Sequence, residues 1–234
     1  MTVHTEDLSD GIRLLTLTGS MASQSFSRAS LPVIADAIND ALGDSNIKGL
    51  VITGEGRFFS AGADINAFQA SIEANEAPQL IRDLTNILHP LIVKMRQSPT
   101  ITVAAVNGAA AGGGLGLALA CDARIASPKA KFAAAYASMG LSPDGGTTWL
   151  LPRLVGEQVA RKFFLQNEIW TAREARDLGA IDVLVSDDGA LLETAIGLAK
   201  HWSQWGSHTK EATKHLLHVQ ADHDFETHLK HEQT

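Results

Sequence analysis

The sequence predicts an α/β fold built from repeated β-β-α units and closed by a helical C-terminal region. Three observations predict it. Short apolar or alternating runs of strand length are twice followed by longer runs with helical spacing. Strands and helices alternate along the chain instead of segregating, which layers helices against a sheet. The C-terminal stretch from Ser207 onward, SHTKEATKHLLHVQADHDFETHLKHEQT, is a polar, amphipathic helical region.

The elements follow in order. Gly11 to Gly19 (GIRLLTLTG) alternates apolar and polar residues and reads as a strand. Leu31, Ile34, Ala35, Ile38, Ala41 and Leu42 then recur at helical spacing, and Gly43 and Asn46 stop that helix. Ile47 to Gly56 is a short, mostly apolar strand of the kind buried on both faces. A glycine-containing loop, RFFSAGAD, leads to the run QLIRDLTNILHPLIVKMRQS. There Leu84, Ile87, Leu88, Leu91, Ile92 and Met95 share one helix face, and Pro90 marks a kink or break. Thr100 to Gly108 is a β-branched strand, and CDARIAS and AKFAAAYA are short strands around a Ser-Pro turn. Thr171 with Glu174 three residues later is a capping box, and Gly179 fits the position just past that helix.

Bulk properties exclude several function classes. At 234 residues the chain suits one large domain, or one with a small appendage. A net charge of −7 argues against a general nucleic-acid footprint. Apolar runs are broken within about 18 residues, so no transmembrane span is expected. The acidic start, MTVHTEDLSDG, lacks a basic-then-apolar leader pattern. Cys121 is the single cysteine, which suits a reducing, cytoplasmic setting.

Two loops carry the chemistry. In VNGAAAGGGLGLALACD, Gly112, Gly113, Gly114 and Gly116 open an Ala/Leu-rich helix, although glycine costs a helix about 1 kcal/mol relative to alanine. The run has no Gly-Lys-Ser/Thr of a P-loop and no dinucleotide-binding spacing. Two readings remain. Bare glycine lets a substrate reach the unpaired N–H groups of the helix start, where an oxyanion would be stabilised, or it lets helix and strand pack closely. The loop GRFFSAGADI is a second strand–loop–helix junction. It offers another N–H donor, or is an ordinary turn with Asp64 as helix cap.

In order, FSAGADI, AAVNGAAAGGGLGLALACD, GLSPDGGTTWLLPRLVG and TAREARDLGAIDVLV resemble the crotonase superfamily, the enoyl-CoA hydratase/isomerase family, from about Gly11 to about Val185. The resemblance implies the crotonase fold, with residues 1–190 as an acyl-CoA-binding core and 191–234 as a C-terminal helical region for oligomerisation or for covering CoA, shorter than is usual in the family. It implies an acyl-CoA thioester substrate with CoA as part of it, no separate cofactor or metal, no nucleic-acid or membrane partner, and a homotrimer or dimer of trimers. By motif position, the N–H groups of Ala63 and Gly113 would hold the thioester oxyanion, beside Gly62 and Gly112. Loop backbone at Ala61, Ala63, Asp64 and Ile65 would contact CoA, and the serine-rich stretch Ser20 to Ser30 stands where a family loop also binds it.

The sequence departs from the hydratases at both glutamate positions, which hold Gly116 and Tyr136. Hydration needs one group to activate water and one to protonate carbon. Asp144, in GLSPDGG, matches the aspartate that moves protons in dienoyl-CoA isomerases and ring-epoxide isomerases of phenylacetate degradation, and that acts as nucleophile in 4-chlorobenzoyl-CoA dehalogenases. The expectation is a double-bond isomerase in which Asp144 shuttles one proton. The alternatives are a hydratase using Asp144 and water, and a non-catalytic acyl-CoA-binding or assembly subunit. Asp144 also reads as a helix N-cap, Tyr136 as a proton donor or a core residue, and Trp149 as acyl-pocket lining or simple packing. Cys121 reads as core. The pairs His215/His218 and His228/His231 have helical spacing that suits a metal, but no carboxylate–His pattern accompanies them.

Overall fold

The computed structural model describes residues 3–233. Its strands are β1 (Val3–Asp7), β2 (Ile12–Leu17), β3 (Gly49–Gly54), β4 (Phe58–Ser60), β5 (Ile101–Val106), β6 (Ala109–Ala111), β7 (Ala123–Ala126), β8 (Lys131–Ala133), β9 (Ile169–Thr171) and β10 (Val183–Leu184). They form two sheets, ordered β1-β2-β3-β5-β7-β10 and β4-β6-β8-β9. The large sheet is parallel except for β1, and the small one is parallel except for β9. Strands β3, β5 and β7 each run into a partner in the small sheet, namely β4, β6 and β8, so the β-β-α unit repeats with its two strands in different layers.

The helices are α1 (Ser20–Ser23), α2 (Ser30–Gly43), α3 (Ile65–Glu73), α4 (Ala77–Gln97), α5 (Gly113–Ala120), α6 (Thr147–Val155), α7 (Glu157–Leu165), α8 (Ala172–Asp177), α9 (Ala190–Ser203), α10 (Ser207–Val219) and α11 (Phe225–His231). All of β5 and all of α5 are buried, which accounts for their unbroken apolar sequence. The main core joins α2, α4 and α5 to one face of the large sheet. On the other face Ile12, Val51, Val103 and Ile125 pack against Leu191, Ala195 and Ala199 of α9. Helix α9, which starts at Ala190, is thus a layer of the core.

The capping box at Thr171 forms with both of its hydrogen bonds, and Gly179 follows α8 at φ +84°. Helix α4 runs as one element of 21 residues through Pro90, where a kink or break was expected. Leu80, Leu88, Leu91, Ile92 and Met95 are buried along it, and this packing outweighs the missing hydrogen bond at the exposed Pro90. No helix among the described residues is long and apolar enough to cross a membrane.

Candidate active site

Parallel pairing builds the site. Phe58 pairs with Ala109 and Ser60 with Ala110, while Ala109 to Ala111 pair with Lys131 to Ala133. The carboxyl ends of β4, β6 and β8 are therefore neighbours, and the segments that leave them converge: Ala61–Asp64, Gly112–Gly113 and Ala134–Tyr136. Ligands of parallel sheets commonly bind at such strand ends.

Glycines let these segments touch. Gly62 has φ +80°, and a Cβ there would lie 2.6 Å from the Ala111 carbonyl oxygen and 3.5 Å from the Gly113 nitrogen. A Cβ on Gly114 would meet the Ser60 carbonyl oxygen at 2.2 Å, and one on Gly113 would meet the Phe26 ring at 2.6 Å. Gly112, at φ +51°, precedes α5 beneath the Tyr136 ring. The close-packing reading of the glycine run thus holds at Gly113 and Gly114. Among the described residues, the N–H groups of Gly113, Gly114 and Leu115 at the start of α5 have no acceptor, and neither has that of Ala63. A buried helix start with open donors is suited to an incoming anion or oxyanion.

Ala63 and Gly113 line one cavity of about 220 Å³, together with Ala61, Ile65, Gly112, Tyr136 and Asp144. The remaining wall is largely apolar, including Leu84, Leu88, Met139 and Leu141. A neighbouring cavity of about 400 Å³ shares Phe26, Ala63, Phe68 and Leu84 with it and adds Arg28 and Asp64. Asp64 itself caps α3, its carboxylate accepting from the N–H groups of Asn66 and Ala67. In the serine-rich stretch, Ser25 is buried and accepts a 2.8 Å hydrogen bond from the Ser60 hydroxyl, which supports the end of β4.

Asp144 does not use its side chain as a cap. Gly145 and Gly146, at φ +59° and +72°, turn the loop so that the Asp144 carbonyl takes the N–H of Thr147 at 3.1 Å and its hydroxyl at 2.9 Å. The carboxyl is left at the cavity wall. The Tyr136 hydroxyl lies 3.2 Å from Asp144 Oδ1 and 3.1 Å from the Asp144 carbonyl, one donor shared between two acceptors. Burial pushes the Asp144 carboxyl above the usual range, against the Tyr136 hydrogen bond and the His89 charge, which lower it. Burial, with the Asp144 charge, also raises the Tyr136 hydroxyl, so it stays protonated.

Gly116 lies behind this loop. A Cβ on it would stand 2.6 Å from the Gly145 carbonyl oxygen, so the Pro-Asp-Gly-Gly backbone fills the space a side chain at 116 would enter. Trp149 is a correction to the sequence reading. It does not line the acyl-side cavity but faces a separate one, with its ring 5.0 Å from His218 and the Arg153 guanidinium 3.5 Å from its centre. It stands on α6 five residues past Asp144, and the helix turns it away. Cys121 is buried, and its thiol is pushed up to about 12, as a core residue's would be. Among the described residues no group of three or more His, Cys, Asp or Glu is placed to hold a metal. Sequence reasoning missed Leu84 and Leu88 as lining and the Tyr136–Asp144 contact; the apolar stripe of α4 was the only available signal for the first.

Comparison with known proteins agrees with this geometry. The enoyl-CoA hydratase/isomerase family profile matches residues 7–234. The 1,2-epoxyphenylacetyl-CoA isomerase of Escherichia coli K12 is 37% identical over 191 residues, covering 82% of this chain and 72% of the relative. EchA14 of Mycobacterium tuberculosis H37Rv, named a probable enoyl-CoA hydratase, is 43% identical over 165 residues, covering 70% of this chain; the match spans 62% of that relative's length. The solved structure of Pseudomonas aeruginosa DspI superposes with a TM-score of 0.87 at 33% identity, over 99% of this chain and 92% of that one. The chain therefore belongs to the enoyl-CoA hydratase/isomerase family of the crotonase superfamily.

Proposed function

We propose that the protein is an acyl-CoA-processing enzyme that shifts a double bond in an enoyl-CoA thioester. The observation that carries this reading is the placement of one half-buried carboxyl, Asp144, in the same cavity as the acceptor-free N–H groups of Ala63 and Gly113. The thioester carbonyl would sit between these two donors. The Asp144 carboxylate takes a proton from the acyl chain, and the C–H electron pair moves into an enolate whose oxyanion the N–H groups stabilise. Losing one such donor typically costs about 3–4 kcal/mol of transition-state stabilisation. The protonated Asp144 then returns the proton to a different carbon, so no atom is gained or lost. A raised carboxyl pKa suits both halves of this exchange. Tyr136, kept protonated, orients the carboxyl between them.

The CoA portion would lie against the Ala61–Ile65 backbone and the neighbouring cavity beside Arg28, and the active assembly would be a homotrimer or a dimer of trimers in the cytoplasm. Two features support isomerisation over hydration: among the described residues no second carboxylate lines the cavity, and Gly145 backbone occupies the approach from Gly116. The test is incubation with 3-enoyl-CoA and 2-enoyl-CoA thioesters. Interconversion of the two without 3-hydroxyacyl-CoA is expected, and Asp144→Asn should abolish turnover while preserving thioester binding. Formation of 3-hydroxyacyl-CoA would assign a hydratase, and binding without turnover in the unaltered protein would assign a binding subunit.

A further inference from the structure

A second cavity, of about 480 Å³, lies beyond the far end of α5 and shares no lining residue with the acyl-side cavity. Its wall combines tryptophans with cations. Three of the four tryptophans line it, Trp149 and Trp205 among them. Five cations also line it, against the single carboxylate of Asp122, in a chain of net charge −7.

Two of these cations are already neutralised. Lys214 meets Asp122 at 2.9 Å and Arg124 meets Asp182 at 2.8 Å. The other three, Arg96, Arg153 and Lys210, have no carboxylate partner among the described residues. Lys210 is only 6% exposed, and its ammonium has neither a hydrogen bond nor an ion pair there. An ammonium held at a cavity wall with no carboxylate beside it is placed to take an anion. The Arg96 Nε is likewise buried without an acceptor. Arg153 is held over the Trp149 ring by a cation–π contact, with one donor on the Trp149 carbonyl, which leaves other guanidinium N–H groups available.

We propose that this cavity binds a small amphipathic carboxylate, its head group accepted by Lys210, its charge further balanced by Arg96 and Arg153, and its apolar body laid against the tryptophan wall. Leucines, an isoleucine and the tryptophans form the apolar part of the wall, beside the cations and a few neutral polar side chains, so the ligand has one compact anionic end and a larger apolar one. A straight-chain acid and an aryl acid share this chemistry.

The experiment is calorimetric titration of the full chain with decanoate, 2-naphthoate, decanol and inorganic phosphate, with tryptophan fluorescence followed in parallel. One carboxylate per chain is expected to bind and to change the tryptophan emission. Decanol and phosphate should each bind at least tenfold more weakly, and the preferred acid identifies the body as aliphatic or aromatic. Lys210→Met should weaken carboxylate binding at least tenfold, whereas Asp144→Asn should leave it unchanged. Carboxylate should also raise the Tm of the unaltered protein, and Lys210→Met should remove that rise. Equal carboxylate affinity with and without Lys210, loss of binding in Asp144→Asn, phosphate binding as tight as decanoate, or no carboxylate binding to the native assembly would each overturn the proposal.

Discussion

Asp144 follows a proline and precedes a helix, a context in which aspartate commonly caps. What frees its carboxyl is the pair Gly145–Gly146, whose positive φ values hand the capping contact to the backbone carbonyl. The sequence could not decide whether the carboxyl caps the helix, because that depends on two backbone angles that glycine leaves open. The same freedom has an energetic cost that can be measured. Burial holds the native Asp144 carboxyl above its ordinary pKa, so the native state binds a proton more tightly than the unfolded chain does. Below the unfolded value both states are protonated and the group contributes nothing. As pH rises through the native value, the folded protein must ionise a poorly solvated carboxyl, and stability is lost. Asp144→Asn escapes this penalty. The variant should therefore be more stable than the unaltered protein at pH 7, with the gap closing as pH falls through the native carboxyl's pKa. Urea unfolding at a series of pH values checks this; a gap independent of pH would mean that the carboxyl's ionisation is not its source.

At the scale of elements, the long strands and helices were legible, but the small sheet was not. Strands β4, β6 and β8 are three residues each, too short for any periodicity to register, and β6 is three alanines. Yet their parallel pairing is what places the Ala63 loop beside Gly113. Ala63 and Gly113 line one cavity, and the reason they meet lies in pairings between residues about fifty positions apart. The glycine triplet encodes those pairings indirectly. Gly114 meets the backbone of Ser60, which cannot swing aside, whereas Gly113 meets the side chain of Phe26, which can. Gly114→Ala should accordingly cost about 3 kcal/mol of stability and Gly113→Ala about 1 kcal/mol, within the usual range for overpacking. Chemical denaturation of the two variants would show the ranking. Equal losses would mean that the contact between α5 and β4 yields more readily than its geometry indicates.

Across the whole molecule, the C-terminal helices are joined to the sheet layers by more than apolar contact. Lys214, on α10, reaches three parts of the body at once: the Met95 carbonyl at the end of α4, the Thr100 carbonyl before β5, and the Asp122 carboxylate between α5 and β7. Asp122 in turn accepts the Thr102 N–H at 2.8 Å and its hydroxyl at 3.0 Å, which fixes the start of β5. Both side chains of the ion pair are about nine-tenths buried, and removing one partner from such a pair strands the other's charge. Lys214→Met should therefore destabilise the chain by about 3–5 kcal/mol. Adding Asp122→Asn to it should recover part of that loss, since no bare carboxylate then remains. Amide hydrogen exchange gives the complementary reading. If Lys214 is the joint between α10 and the core, exchange in Lys214→Met should quicken in α10 and at the start of β5, while the Ala109–Ala111 strand that carries the glycine loop stays protected. Uniform loss of protection across the sheet would instead make the pair part of one cooperative core, with no separable joint at α10.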